Sequence, residues 1–174
     1  EPNTKNFEVA DTSKVADYTQ RMGIDNSRQN LDGVFFQIQA PVGGEESDSV
    51  FVRFSGAIYN RWDYNPTTHT YSRFSDAENS IGPDDEVYEK LIDRANNKPI
   101  ETENIAVIFV RHVDIDARPT VEVLDVSLLG TGEAYIARDG KVYEVTWSRP
   151  NEESVLTFLN PDGSVFPLRP GQTW

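Results

Sequence analysis

The chain has 174 residues, 29 acidic against 16 basic, no cysteine and a formal net charge of −13. Such a surface repels phosphate backbones and anionic head groups, which speaks against nucleic acid as a partner, and the lack of cysteine removes disulfides, thiolate metal sites and cysteine nucleophiles. The length suits one domain with a proper core, and nine Phe, seven Tyr and three Trp against one Met favour sheet over helical bundle.

Residues 1–10 show no periodicity and read as a tail, or as a strand whose partner lies elsewhere. Asp11 or Thr12 then caps a helix running to Met22, with Val15, Ala16, Tyr18 and Met22 near one stripe and Gly23 as its stop, a pattern expected of a packing helix. Residues 34–40 read as a strand, Pro41-Val42-Gly43-Gly44 opens an acidic loop ending near Asp48, and 49–54 form the next strand. Residues 58–74 make a hairpin. Its turn holds Pro66 in a right-handed position and His69 where a left-handed one is expected, so Tyr64 should face Tyr71 and Trp62 should face Arg73.

The polar stretch 75–99 interrupts the strand pattern. Within it, Pro83-Asp84-Asp85-Glu86 followed by Val87, Tyr88, Leu91 and Ile92 predicts a short capped helix. Residues 104–114 contain Ile105-Ala106-Val107-Ile108-Phe109-Val110, apolar on both faces, which predicts the central strand of the sheet. A strand from Val121 leads through Leu128-Leu129 into a second hairpin, whose Asp139-Gly140 dipeptide supplies the two positive-φ positions of a type I′ turn. Tyr143, Val145 and Trp147 share its buried face. A third hairpin crosses Asn160-Pro161-Asp162-Gly163. The expected class is α+β, mainly β: a twisted antiparallel sheet or partly closed barrel built of hairpins, with one or two short packing helices. Phe109, Val107 and Val123 are expected in the core beside Tyr143, Val145 and Trp147.

Four motifs, residues 59–73 (YNRWDYNPTTHTYSR), 104–112 (NIAVIFVRH), 130–149 (GTGEAYIARDGKVYEVTWSR) and 160–174 (NPDGSVFPLRPGQTW), occur in an order and spacing that resembles the C-terminal domain of the YerB-like lipoproteins of bacteria. The resemblance covers residues 49–174. Residues 1–48, with their helix and strand, resemble the tail of that family's N-terminal domain, and the two parts are expected to pack as one unit. It implies a chain cut short at its start, and at Trp174, where the family continues as a strand. It also implies an extracytoplasmic protein held to the membrane by a lipid on a cysteine outside this chain, itself soluble. The family has no established activity, so no catalytic residue carries over, and residues 75–98 replace the short Gly/His/Asp-containing connection seen in its members.

The residues themselves offer little reactive chemistry. His112, Asp114 and Asp116 alternate along one strand and could present three ligands, but solvated charges at a strand end explain them better, so no metal is expected. Asp84, Asp85 and Glu86 lack calcium-loop spacing. Gly130-Thr131-Gly132 precedes a strand instead of a helix, which argues against a phosphate cradle, and no motif asks for a cofactor. Neither His69 nor His112 has an evident serine partner. The constellation above background is Trp62, Tyr64, Tyr71 and Trp147 with Arg61 and Arg73: aromatic faces beside guanidinium groups suit a cell-wall glycan or peptide, while simple cross-strand pairing suits a sheet surface. Trp147 fits the core better. The candidate ligand site is therefore Trp62, Tyr64, Tyr71, Arg73 and Arg61. A non-catalytic binding or interaction module of the cell envelope is the preferred function, with another envelope protein as a further possible partner, and a carboxylate-dependent envelope hydrolase is the alternative.

Overall fold

The structure is a computed structural model that describes residues 11–25, 27, 32–53, 59–76, 86–118 and 121–174. It divides into two compact units, Glu1–Leu31 and Asp32–Trp174. In the first, Asp11 accepts a hydrogen bond from the Ser13 N–H at 3.1 Å and starts a 3-10 turn, Thr12–Lys14, that runs into helix α1, Val15–Met22. Gly23 takes the left-handed conformation, φ 64°, and the N–H groups of Gly23 and Ile24 close the last turn on Gln20 and Thr19. The helix sits where the caps place it. Val15, Tyr18 and Met22 are all exposed, and no described residue of α1 is buried.

The second unit is built from short strands: β1 Phe35–Phe36, β2 Glu45–Glu46, β3 Ser49–Arg53, β4 Tyr59–Asn65, β5 Thr70–Asp76, β6 Tyr88–Lys90, β7 Ile92–Asp93 and β8 Lys98–Pro99. They are followed by β9 Glu101–Thr102, β10 Asn104–Ile108, β11 Arg111–Arg118, β12 Val121–Ser127, β13 Gly130–Arg138, β14 Lys141–Arg149, β15 Thr157–Leu159 and β16 Pro167–Leu168. One antiparallel sheet runs β10-β13-β14-β15 with β2 also on β14, and another runs β3-β4-β5-β6 with β9 also on β5. Among the described residues these sheets stay open, without closing into a barrel, and β1 pairs with β16 in parallel.

Both tight turns follow from their residues. Asp139 and Gly140 have φ of 53° and 73°, and pairing runs from Arg138↔Lys141 out to Gly130↔Arg149. In the β4–β5 hairpin His69 has φ 58°, its N–H donates to the Asn65 carbonyl at 2.8 Å, and the register gives Tyr64↔Tyr71 and Trp62↔Arg73. The third hairpin forms as well, with the Asn160 N–H donating to Ser164 O at 2.8 Å and the Phe166 N–H to Phe158 O at 2.7 Å.

The hairpin β13–β14 is the centre of the fold because both of its faces are covered. One face carries Ala134, Ile136, Tyr143, Val145 and Trp147 against Phe158, Phe166 and Leu168. The other carries Ala137, with Val142, against Ile105, Trp62 and Tyr71, and so joins the two large sheets. The expected central strand is corrected by this arrangement. Residues 104–114 form two strands, and β10 stands at the end of its sheet, its outer edge closed by the C-terminal segment: Ala106 N–H donates to Trp174 O and Trp174 N–H to Asn104 O. From Arg111 the chain leaves for the separate two-stranded ribbon β11–β12. Phe109 is 56% exposed and Val123 37%, against expectation: Phe109 lies just past the end of β10, and Val123 stands on the ribbon, which among the described residues forms no ladder with the large sheets.

Two further expectations fail for tertiary reasons. The segment 34–40 keeps only β1 as strand, since the carbonyls of Gln37 and Ile38 accept from the buried Arg138 guanidinium instead of a neighbouring strand. The helix expected around 83–92 is not present at 88–92, which form β6 and β7, while 83–85 lie outside the described residues. Pairing of β6 with β5, Phe74↔Lys90 to Asp76↔Tyr88, overrides local helix propensity there.

Candidate functional site

Strand alternation places Val50, Trp62 and Arg73 in one row across β3, β4 and β5, because Val50 pairs with Trp62 and Trp62 with Arg73. The row meets the second sheet, and this decides the fate of the aromatic residues. Trp62 is 1% exposed and Tyr71 is fully buried. Their faces are core, not an open stacking platform. Tyr64 packs on Tyr71 with ring centroids 5.0 Å apart, and its hydroxyl hydrogen-bonds His69 Nδ1 at 3.2 Å. Burial pushes the Tyr71 phenol pKa well up, while its oxygen accepts from the Gly140 N–H. Trp147 is core as expected, its Nε1 donating to Phe109 O at 2.9 Å over Gly132.

The two arginines of the expected site are separated. Arg61 points to the opposite face, donates from Nε and Nη2 to the two Asp63 carboxylate oxygens at 2.9 Å each, and lies over Phe74 and Tyr88. That Asp63 hydrogen bond raises its pKa. Arg73 stays with Trp62. Its guanidinium carbon is 5.9 Å from the Trp62 ring and 4.8 Å from that of Trp174, and Nη2 donates to Asn60 Oδ1. Burial lowers its pKa.

A groove that sequence reading did not single out opens beside this row. It has a volume of about 640 Å³ and is lined chiefly by Val50, Phe51 and Val52 of β3 and by Val107, Ile108 and Phe109 of the β10 segment, with Arg53 and His112 also in its wall. Phe51 is 50% and Phe109 56% exposed. The cavity exists because β10 ends at Ile108 and the chain swings into the ribbon, leaving the wall of β3 uncovered. The apolar run Val50-Phe51-Val52 was the available signal, since a one-face-buried strand would alternate with polar residues. Its size falls in the range typical of ligand pockets, and its lining is apolar enough to take aliphatic or aromatic groups.

Among the described residues, the titratable groups in its wall are Arg53, His112 and Tyr135. His69 Nδ1 lies 3.7 Å from Asp139 Oδ1, but that carboxylate is already held by Arg138 at 2.7 Å and Arg169 at 2.6 Å. Asp11, Asp25 and Asp162 have pKa values lowered by hydrogen bonds from Ser13, Ser27 and Ser164, the direction opposite to that of a general acid. A register shift between Asp114 and Asp116 breaks the alternation on which a site with His112 would depend. Among the described residues no three His, Asp or Glu side chains are placed to hold a metal ion.

The geometry defines a mainly β, antiparallel α+β domain with an apolar groove between two sheets. The chain belongs to the family described as protein of unknown function (DUF3048), C-terminal domain, which it matches over residues 50–174. Among solved structures it is similar to the YerB protein of Bacillus subtilis, at 22% identity and a TM-score of 0.64, over 93% of this chain and 49% of that one. The chain thus spans about half the length of that relative, and the likeness is one of fold. No curated protein matches it. No helix among the described residues is long and apolar enough to cross a membrane.

Proposed function

We propose that this domain is a non-catalytic binding module of the cell envelope, and that its groove holds an apolar segment of another envelope protein. The observation that carries the reading is the groove itself: Val50, Val52, Val107 and Ile108 form its wall and the half-exposed Phe51 and Phe109 its rim. Such a lining rewards apolar side chains and offers few partners for the hydroxyls of a glycan, which favours a protein segment over cell-wall sugar. With a net charge of −13, the segment is expected to be neutral or basic outside its apolar anchors. The resemblance to the YerB-like family supports an extracytoplasmic, lipid-anchored position for the intact protein.

The test is selection from a random peptide library displayed on phage, followed by Val52→Trp, which fills the groove. Enriched peptides should carry aliphatic or aromatic residues, and their affinity should fall about tenfold or more in the variant while the melting temperature changes little. Peptides indifferent to Val52→Trp would place binding elsewhere. Release of reducing sugar from peptidoglycan by the wild-type chain would replace this reading with that of a hydrolase.

A further inference from the structure

The groove adjoins a second cavity, because Tyr135 and Val142 line both. This neighbour has a volume of about 550 Å³ and is walled by the rings of Tyr135, Tyr143 and Pro161 and by Glu45 and Glu144. Its origin is a gap along the outer edge of β14. There β2 pairs with Lys141 and Val142 and β15 with Thr146 to Ser148, and among the described residues no strand faces Tyr143 to Val145. The registers gather the acidic side chains on one face, since Tyr135 stands opposite Glu144, while Val142, two residues before Glu144, stands opposite Glu45. Tyr135 also meets Phe109 of the groove's rim edge-on, with ring centroids 6.0 Å apart and planes at 78°, so a single ring serves the apolar groove and the acidic cavity.

The charge of this cavity is uncompensated from within the fold. Among the described residues no Lys, Arg or His lies within ion-pair distance of Glu45, Glu144 or Glu133, and Lys141 beside them is held by Glu46 at 3.0 Å. The phenolic hydroxyls are already engaged as donors: Tyr135 donates to Glu133 Oε1 at 2.8 Å and Tyr143 to the Pro41 carbonyl at 3.1 Å. They therefore turn lone pairs and π faces to the cavity, beside carboxylates that can only accept. The Tyr135 phenol pKa is raised, first by its bond to Glu133 and further by the charges of Glu144 and Glu45, which shows that all three acids bear on the shared ring. Such a wall selects a group that brings positive charge and several N–H donors together, an ammonium or a guanidinium. An apolar groove continuous with it matches a segment in which apolar residues neighbour a basic one.

We propose that Glu45, Glu144 and Tyr135 form a subsite for a lysine or arginine side chain of a partner segment, adjoining the groove that takes its apolar residues; this rests on the groove being a binding site. The experiment titrates the chain by ¹H–¹⁵N NMR, at constant ionic strength, with peptides of the form acetyl-Leu-Phe-Lys-amide carrying none to three glycines before the lysine, and with the same peptides carrying norleucine instead. At least one lysine peptide should bind about fivefold or more tightly than its norleucine counterpart and shift the Tyr135 and Glu144 amide resonances. Glu45→Gln with Glu144→Gln should erase that preference. Glu152→Gln with Glu153→Gln, which removes the same charge from exposed positions outside the cavity, should keep it. The proposal is overturned by a lysine preference that survives the first pair or is lost equally in the second, and by the absence of binding. Norleucine peptides that weaken with Val52→Trp while lysine gives no advantage would overturn the subsite and leave the groove standing. A lysine preference erased by the first pair but indifferent to Val52→Trp would support the subsite and remove the groove reading. The lysine-against-norleucine comparison uses the wild-type chain, so it decides the matter even if a variant fails to fold.

Discussion

The backbone N–H of Gly140 donates to the hydroxyl of Tyr71 at 3.1 Å, so the type I′ turn of one sheet is fastened to a side chain buried in the other. The bond is itself buried, and Tyr71 is the donor's partner at the point where Gly140 also runs close beneath the Tyr64 ring. A Cβ on Gly140 would stand 2.7 Å from that ring, which explains why glycine occupies the second turn position for packing as well as for its φ of 73°.

Tyr71→Phe keeps the ring but leaves the Gly140 N–H without its acceptor. The cost should be about 1–3 kcal/mol, the penalty of a buried unsatisfied donor. Equilibrium urea unfolding measures it, and amide exchange at Gly140 should accelerate in the same variant. A cost near zero would mean that water replaces the hydroxyl.

Gly132→Ala tests the close approach on the facing strand. Gly132 has no need of a left-handed φ, but an added Cβ would lie 2.5 Å from Trp147 Nε1 and 2.8 Å from Cε2. The indole must shift away from its hydrogen bond to Phe109 O, which anchors the exit from β10. A loss of about 2 kcal/mol is expected, within the range for overpacked cores, together with a changed Trp147 indole N–H resonance. Unaltered stability and an unmoved resonance would show that the backbone yields instead.

Asp162 provides a pH test at the third hairpin. Hydrogen bonds from the Ser164 hydroxyl and N–H hold its carboxyl below the ordinary aspartate value of 3.8. A depressed folded-state pKa contributes stability above the unfolded value and loses it as pH falls through the folded value. The turn's contribution should therefore be constant from neutral pH down to about 5, decline below 3.8, and be absent from the pH profile of Asp162→Asn. Carboxyl NMR titration checks the direction: a midpoint above 3.8 would contradict it.

Much of the local architecture was written in neighbouring residues. Asp139-Gly140 and the run Asn65 to Thr70 set their hairpin registers because turn geometry is decided by the φ preferences of two to four adjacent residues. The cap at Asp11 and the stop at Gly23 did the same for α1. What neighbours could not reveal was which faces another sheet would cover. Ile105 to Val110 is apolar enough for a central strand, yet β13–β14 took that place because layers packed on both of its faces, while Phe109 was left outside. Tyr88 and Ile92 have helical spacing, but a free edge on β5 captured Tyr88–Lys90 as a strand. The Trp62–Arg73 pair was legible as a register, and its burial was not, since that depends on Trp174 returning along β10 from the far end of the chain. Composition and turn chemistry are local quantities. Burial, and with it the groove, is set by contacts between segments far apart in sequence.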